Sequence, residues 1–433
     1  MRSKKKTFAI LLSVLLVLSL AGCGASGSKT ADGEDIVTLH FLHKWPQPEY
    51  VFYFDELVAS FEEAHPDIKI EVEAYEDESI KDKLRILMGA SDAPDIFFSW
   101  SGEFAQKFIR NNAVLDLTPY LEEDAAWKDS IMEAGLEPFS DGQGHYYGIP
   151  LRINGKFFVY NKDIFDQVGV TVPTTYDEFL SVCEQIKQAG ITPIAFGNIE
   201  PWAGCHYITT FNQKLVNDET RRSNYYYKTG EFTDPGYVKA LYLLKELNDK
   251  EYFNYGSNAI EHNMCYETFG LGQQAMFYVE LEEFKDINKN VENWGFFPMP
   301  AIPDGAGNQN FITGAPDGFM VSKNTEHPEE VVTFLKYMTS MEQATKLVND
   351  LGWPSPVKGA VEQAGGALPQ TVEGMKILSK AEGMALWLDT DINIRISDVW
   401  LPGIQEVMNG TKTPEQLMQE VDAVAKKVAA EEE

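Results

Sequence analysis

An α/β fold of two or more lobes is what the sequence predicts, on three observations. The chain has 433 residues, more than one hydrophobic core usually serves. Hydrophobic residues make up 44% and charged residues 24%, the proportions of a globular protein. From Ile36 onward, runs with the period of a strand alternate with runs with the period of a helix, the order of βαβ units.

The first residues stand apart from this pattern. Arg2, Lys4, Lys5 and Lys6 precede an apolar run from Phe8 to Ala21, the charged and apolar regions of a signal peptide. The run is short of the roughly 20 residues that a lasting transmembrane helix needs. Leu20-Ala21-Gly22-Cys23 looks like a bacterial lipobox, whose cysteine takes a diacylglyceryl group and becomes the mature N-terminus. An ordinary cleavage site beside an incidental cysteine is the alternative. On the lipobox reading, residues 1–22 are a signal peptide and residues 23–35 a flexible tether after lipidated Cys23. Two acyl chains suffice for stable anchoring where one does not.

The elements follow in order. IVTLHFLHKW alternates as a strand does until Pro46 and Pro48 stop it. A helix with Phe54, Leu57, Val58 and Phe61 on one face comes next, then the strand IKIEVEAY, the helix SIKDKLRILMGAS and the strand DIFFSW, Asp95 to Trp100. A helix spans Glu103 to Asn111, and GHYYGIPLRINGKFFVYN holds two extended runs. Asn161 and Asp163 can cap a short helix that Gly169 ends, and Thr175 with Glu178 has the spacing of a capping box. The helix after it carries Phe179, Val182, Cys183 and Ile186 on one face and closes at Gly190. ITPIAFGN is a strand, and helices follow over Tyr237 to Lys250, Glu329 to Ser340 and Thr413 to Lys427.

A net charge of −30, which becomes −34 when the four signal-peptide cations are removed, repels nucleic acid and anionic lipid. Neither is an expected partner; the membrane is reached through the lipid anchor alone. Cys183, Cys205 and Cys265 show no CxxC spacing, so they read as packed thiols, with one disulfide and a leftover cysteine as the alternative. The chain holds no HExxH, GxSxG or Walker motif. Asp389, Asp391 and Asn393 have the first spacing of a calcium loop, but Ile394 stands where glycine is needed and Trp400 where glutamate is. Tyr225-Tyr226-Tyr227 beside Lys228 reads as a surface edge.

YNKDIF, a glycine and PTTYDEF resemble the signature of the family 1 extracellular solute-binding proteins, the sugar receptors of bacterial ABC importers. APDIFF with Trp100, ITPIAFGN with Trp202, FGLGQQAMFY, WGFFPMP, VSKNTEHPEEVVTFLKYM and GTKTPEQL continue the resemblance in the family's order over nearly all of residues 36–425. The resemblance implies a two-lobed periplasmic-binding-protein-like fold of type II. Three chain crossings would form its hinge, near Ile149 to Gly155, Gly314 to Gly318 and Trp353 to Pro356. Lobe 1 would take residues 36–150 and 314–355, and lobe 2 residues 151–313 and 356–433. It further implies a non-enzymatic, extracytoplasmic, monomeric receptor that needs no cofactor. This receptor would capture a mono- or oligosaccharide between the lobes and deliver it to the permease subunits of an ABC transporter. A receptor of the same fold for a metal, polyamine or peptide, and a surface glycosidase, are the alternatives.

Sugars present C–H faces flanked by hydroxyls, so a site for them needs aromatic planes edged by donors and acceptors. Ligands of open α/β sheets bind outside the carboxyl ends of the strands, which favours Trp45, Trp100 and Trp202, followed by Trp353 at a crossing and Trp387 before LDTDIN. Candidate polar partners are Lys44, Ser101, Glu103, Arg152, Asn154, Glu280, Asp317 and Asp389, with Tyr160 and Asn161 placed at a strand end facing the cleft. Where many family members carry tryptophan after the Ala-Met segment, this chain has Glu280-Leu281-Glu282-Glu283, which implies a more polar pocket.

Overall fold

A computed structural model describes residues 36–87 and 93–431 of the chain. The signal segment, the tether and Cys23 lie outside the described residues. The strands are β1 Val37–His43, β2 Ile68–Ala74, β3 Ile96–Trp100, β4 Gly148–Ile153, β5 Lys156–Asn161 and β6 Thr192–Ala195. They continue with β7 Gln274–Glu280, β8 Trp294–Phe297, β9 Ile312–Thr313, β10 Pro316–Val321 and β11 Met384–Ala385.

Two sheets organise the molecule. A five-stranded sheet has the order β2-β1-β3-β10-β4, and a four-stranded sheet the order β6-β7-β5-β8. β10 runs antiparallel to both its neighbours in the first sheet, and β5 does so in the second. β10 returns to the first sheet only after the second has been built, so neither lobe is a continuous stretch of chain. All five residues of β3 are buried, as an inner strand covered on both faces requires.

Each sheet has its own core. Phe41, Phe54, Phe61, Phe97, Phe319 and Phe334 belong to the first. In the second sheet, the period-2 alternation of β5 sends Phe158 into one cluster with Tyr207, Tyr237 and Trp400, and Phe157 and Val159 into another with Phe284 and Trp294.

The chain passes between the sheets at Asn154-Gly155, from β4 to β5, and re-enters the first at Gly314-Ala315, from β9, which pairs with β11 in a separate two-stranded sheet, to β10. Arg152 and Ile153 still pair with β10, so the chain leaves the first sheet three residues beyond the boundary at 150 expected from sequence. The crossings are laced together. The Ile153 amide donates to the Pro354 carbonyl (3.0 Å), that of Asn154 to Ala315 (3.1 Å) and that of Gly314 to Ala385 (2.9 Å). Gly314 permits this closeness, since a Cβ there would lie 2.1 Å from the Asn154 carbonyl oxygen.

The local signals of the region after β5 form as expected. Asn161 accepts from the Ile164 amide at the start of a helix over Lys162–Val168, and Gly169 ends it at φ 81°. Thr175 and Glu178 make both bonds of the capping box. Cys183, Cys205 and Cys265 are free and buried. The tyrosine triplet is not a surface edge: Tyr225 and Tyr227 are buried and only Tyr226 is exposed. Tyr225 packs on Phe232 and accepts from the Asn212 amide group, and Tyr227 lies under the Arg110 guanidinium, 4.0 Å away.

Candidate binding site

The carboxyl ends of β1, β3 and β4 and the amino end of β10 share one edge of the first sheet. The carboxyl ends of β6 and β7 and the amino end of β5 share one edge of the second. Because Asn154-Gly155 joins the end of β4 to the start of β5, the two edges face each other, and the space between them is the cleft.

Arg152 anchors the cleft's first wall. Its Nε donates to Asp317 Oδ1 (2.8 Å), its Nη2 to Asp317 Oδ2 (2.8 Å), and its Nη1 reaches Glu282 on the opposite lobe. The register sets Asp317 between Trp100 and Arg152 on the neighbouring strands. The guanidinium also lies 5.0 Å from the Trp45 ring and 4.6 Å from that of Trp353. Lys44 pairs with Asp77 (3.1 Å). Together with Lys81 it covers Trp100, the two ammonium groups standing 5.0 and 4.9 Å from that ring.

The opposite wall is acidic and aromatic. Asn154 Nδ2 donates to Glu280 Oε2 (2.5 Å), and Lys156 stands 3.8 Å from Glu280 and 3.7 Å from Glu283. Glu283 Oε1 meets His262 Nε2 (2.6 Å) and accepts from the Tyr266 hydroxyl, while its other oxygen accepts from the Glu280 amide. Burial raises the Glu280 carboxyl above the ordinary range against the pull of Lys156. For Glu283 burial is outweighed by His262 and Lys156, which hold the carboxyl below that range. The pair thus divides one proton affinity in two directions. His206 stacks on Trp387 (4.3 Å, 24°) and lies 5.3 Å from Trp202. Burial, then Lys156 and His262, keep its pKa well below the usual value, so the ring is neutral, and its buried Nδ1 has no hydrogen-bond partner.

Several expected site residues have other work. Trp45 is 5% exposed and packed by Phe54, Phe98 and Trp353, a wall of the first core rather than an open plane. Trp353 is likewise buried between Trp45 and Tyr50. Ser101 donates to the Pro316 carbonyl (2.8 Å) and is buried, and Glu103 pairs with Arg110 along its own helix. Tyr160 and Asn161 do not face the cleft. Lys156 is the β5 residue paired with Glu280, so β5 runs away from the cleft and its far end carries Tyr160 onto Phe165 and Phe297 and Asn161 to its capping role. Of the five tryptophans singled out, Trp202 alone is partly open. Asp389 lines a cavity of ≈360 Å³ at the cleft's lip with Lys81, Phe104 and Asn393, and its Oδ1 lacks a partner. Burial raises its carboxyl against the attraction of Lys81.

Sequence reasoning missed Lys81, Lys156, His206 and His262, and reached Glu282 and Glu283 only as part of an acidic run. The acidic run after β7 was the one available signal, and it marks the network that Lys156 and His262 complete.

A model of the bacterial extracellular solute-binding proteins matches residues 47–345, well over half of the chain. The chain belongs to this family. Relatives of this solute-binding protein include the melibiose/raffinose/stachyose-binding protein of Bacillus subtilis, 23% identical over 81% of this chain and 81% of that one. The multiple sugar-binding protein of Streptococcus mutans is 25% identical over 79% and 80%. Among solved structures, a chitin oligosaccharide binding protein matches with a TM-score of 0.83 at 24% identity, covering 91% of this chain and 99% of that one. A sugar transporter from Bacillus licheniformis in complex with stachyose matches with 0.72 at 20%, covering 90% and 100%. These likenesses establish the two-lobed fold. Members of the family are extracellular binding proteins, so the chain acts outside the cytoplasm.

Proposed function

We propose that this solute-binding protein captures an uncharged mono- or oligosaccharide in the cleft and delivers it to the permease of an ABC importer, without catalysing a reaction. The observation that carries the reading is the neutral His206, stacked on Trp387 beside the half-open Trp202, with an unpartnered Nδ1 3.7 Å from Glu280. Such a group meets a sugar's hydroxyls while the open face of Trp202 meets its C–H faces, and Trp387, 6% exposed and covered by His206, holds the imidazole in place. The charge balance of the cleft supports a neutral ligand. Arg152 is matched by Asp317 and Glu282, Lys44 by Asp77, Lys81 by Glu78 and Lys156 by Glu280 and Glu283. The relatives named for melibiose, raffinose, stachyose and multiple sugars support the same substrate class. Closure of the lobes around the sugar would be driven by its higher affinity for the closed state. A lipid on Cys23 would hold the monomer at the membrane, within reach of the permease.

A thermal-shift panel of neutral saccharides on the chain from Gly24 onward tests this. A ligand at about 100 times its dissociation constant adds roughly 2.7 kcal/mol of stability. Trp202→Ala is expected to remove the shift and leave the unliganded transition nearly in place. Trp45→Ala, a core truncation, is expected to cost ~3–5 kcal/mol with or without sugar. The reading fails if no saccharide moves the transition, or if the Trp202 variant responds as the parent does.

A further inference from the structure

We propose that a second site, for a small oxyanion, lies on the hinge side of the four-stranded sheet. A cavity of ≈420 Å³ there is lined by Lys156, Thr210, Lys214, Tyr278 and Thr313. His206, Thr210 and Lys214 are spaced by four on the helix Trp202–Leu215, so one helical face leads from the cleft to this cavity two turns on.

Its chemistry is cationic against the grain of a chain with a net charge of −30. Lys214 is 2% exposed, and its ammonium donates to the Gln309 carbonyl (3.0 Å). Among the described residues no carboxylate stands within ion-pair distance of it, and burial pulls its pKa down to about 8. A buried ammonium with two unused N–H groups is costly unless an anion meets it. Lys156, also 2% exposed, reaches the edge of this cavity but is matched by Glu280 (3.8 Å) and Glu283 (3.7 Å), so Lys214 is the buried cation left for an anion. One turn before Lys214, the Thr210 hydroxyl lies 2.8 Å from that of Tyr278, 2.7 Å from that of Thr313 and 2.9 Å from the His206 carbonyl, which takes one of the three protons and leaves the others for a ligand. At the rim, Lys380 adds a second cation, beside Glu382, whose carboxylate stays charged while it accepts from Asn308 and Asn310 (2.7 Å each). The buried Lys214 ammonium, the Lys380 ammonium at the rim and the hydroxyls beside them suit the oxygens of a phosphate, a sulfate or an organic carboxylate. The volume admits more than an inorganic ion, so the class extends to small organic acids. The cations that carry this site, Lys214 and Lys380, take no part in the saccharide reading of the cleft, although Lys156 borders both.

Calorimetry on the full chain purified in detergent tests it, with phosphate, sulfate and citrate titrated at an ionic strength fixed by chloride. One of the three is expected to bind saturably with one site per chain, and the best of them separates an inorganic from an organic ligand. Lys214→Met, which removes an unpaired buried charge at similar volume, is expected to weaken that binding about tenfold or more, a 1.4 kcal/mol effect, without lowering the thermal transition. Lys380→Ala at the rim, which leaves the core untouched, is expected to weaken it by a smaller factor. Absence of saturable binding by all three anions overturns the proposal, as does equal affinity in the parent and both variants.

Discussion

Asp391 is wedged where the lobes touch, at the end of the short helix Leu388–Asp391 and against the loop that leads into the helix Glu103–Arg110 of the first lobe. Burial raises its pKa to about 7, with Glu103 pushing the same way and Arg221 pulling against them. The unfolded chain releases this proton near pH 3.9. Between there and about pH 7 the folded state holds a proton that the unfolded state has lost, so stability falls as pH rises through that window. The full penalty, at most ~4 kcal/mol, is present above the folded value and absent below the unfolded one. Asp391→Asn is therefore expected to raise unfolding free energy in denaturant titrations at pH 8 and to change it little at pH 4. An equal effect at both pH values would mean that the carboxylate is not desolvated as described.

Among the connecting elements, the turn from β3 into the helix Glu103–Arg110 meets the second lobe at Thr390 and Asp391. Gly102 holds φ 78° and ψ −149°, a region that side chains rarely enter. A Cβ there would lie 2.9 Å from Asp391 Oδ1 and 3.1 Å from the Thr390 carbonyl oxygen. Gly102→Ala combines two effects: ~1–3 kcal/mol of backbone strain in any state, and a clash that exists only with the lobes together. Gly142, at φ 71° with nothing near its missing Cβ, isolates the first effect. Both alanine variants are expected to lower the thermal transition, and the Gly102 variant alone to weaken ligand affinity by calorimetry. Equal affinities in the two variants would separate the Asp391 contact from closure. The elements themselves were largely legible, because caps and turns are decided by residues a few positions apart. Thr175 with Glu178, Asn161 and Gly169 needed no tertiary knowledge. The site was legible only in outline. Strand ends marked where Trp45 and Trp100 would fall, but not that Trp45 turns its ring into Phe54 and Phe98. Tyr160 and Asn161 were assigned to the wrong end of the molecule because the antiparallel register of β5 against β7 is a long-range fact. Lys156, His206 and Glu280 meet from three elements far apart in sequence, and no local pattern announces such a meeting.

At the scale of the whole molecule, two kinds of electrostatics oppose each other as salt is added. Surface ion pairs such as Lys245–Asp249 (2.6 Å) and Lys426–Asp422 (2.6 Å) stand in solvent, where each is weak and screening removes it. Against them stands the repulsion of an excess of 30 negative charges, which disfavours the compact state. The buried pairs of the cleft, Arg152 with Asp317 above all, are shielded from ions and change little. Exposed pairs lose little because each was weak, whereas the excess charge acts between all parts of the surface at once. Raising sodium chloride from about 10 mM to about 300 mM shrinks the screening length from ~30 Å to under 10 Å, below the dimensions of either lobe. The repulsion is then the larger loss, and the unliganded thermal transition is expected to rise by a few degrees at pH 7. A transition that falls over the same range would show that the surface pairs, and not the surplus of acids, set the salt response.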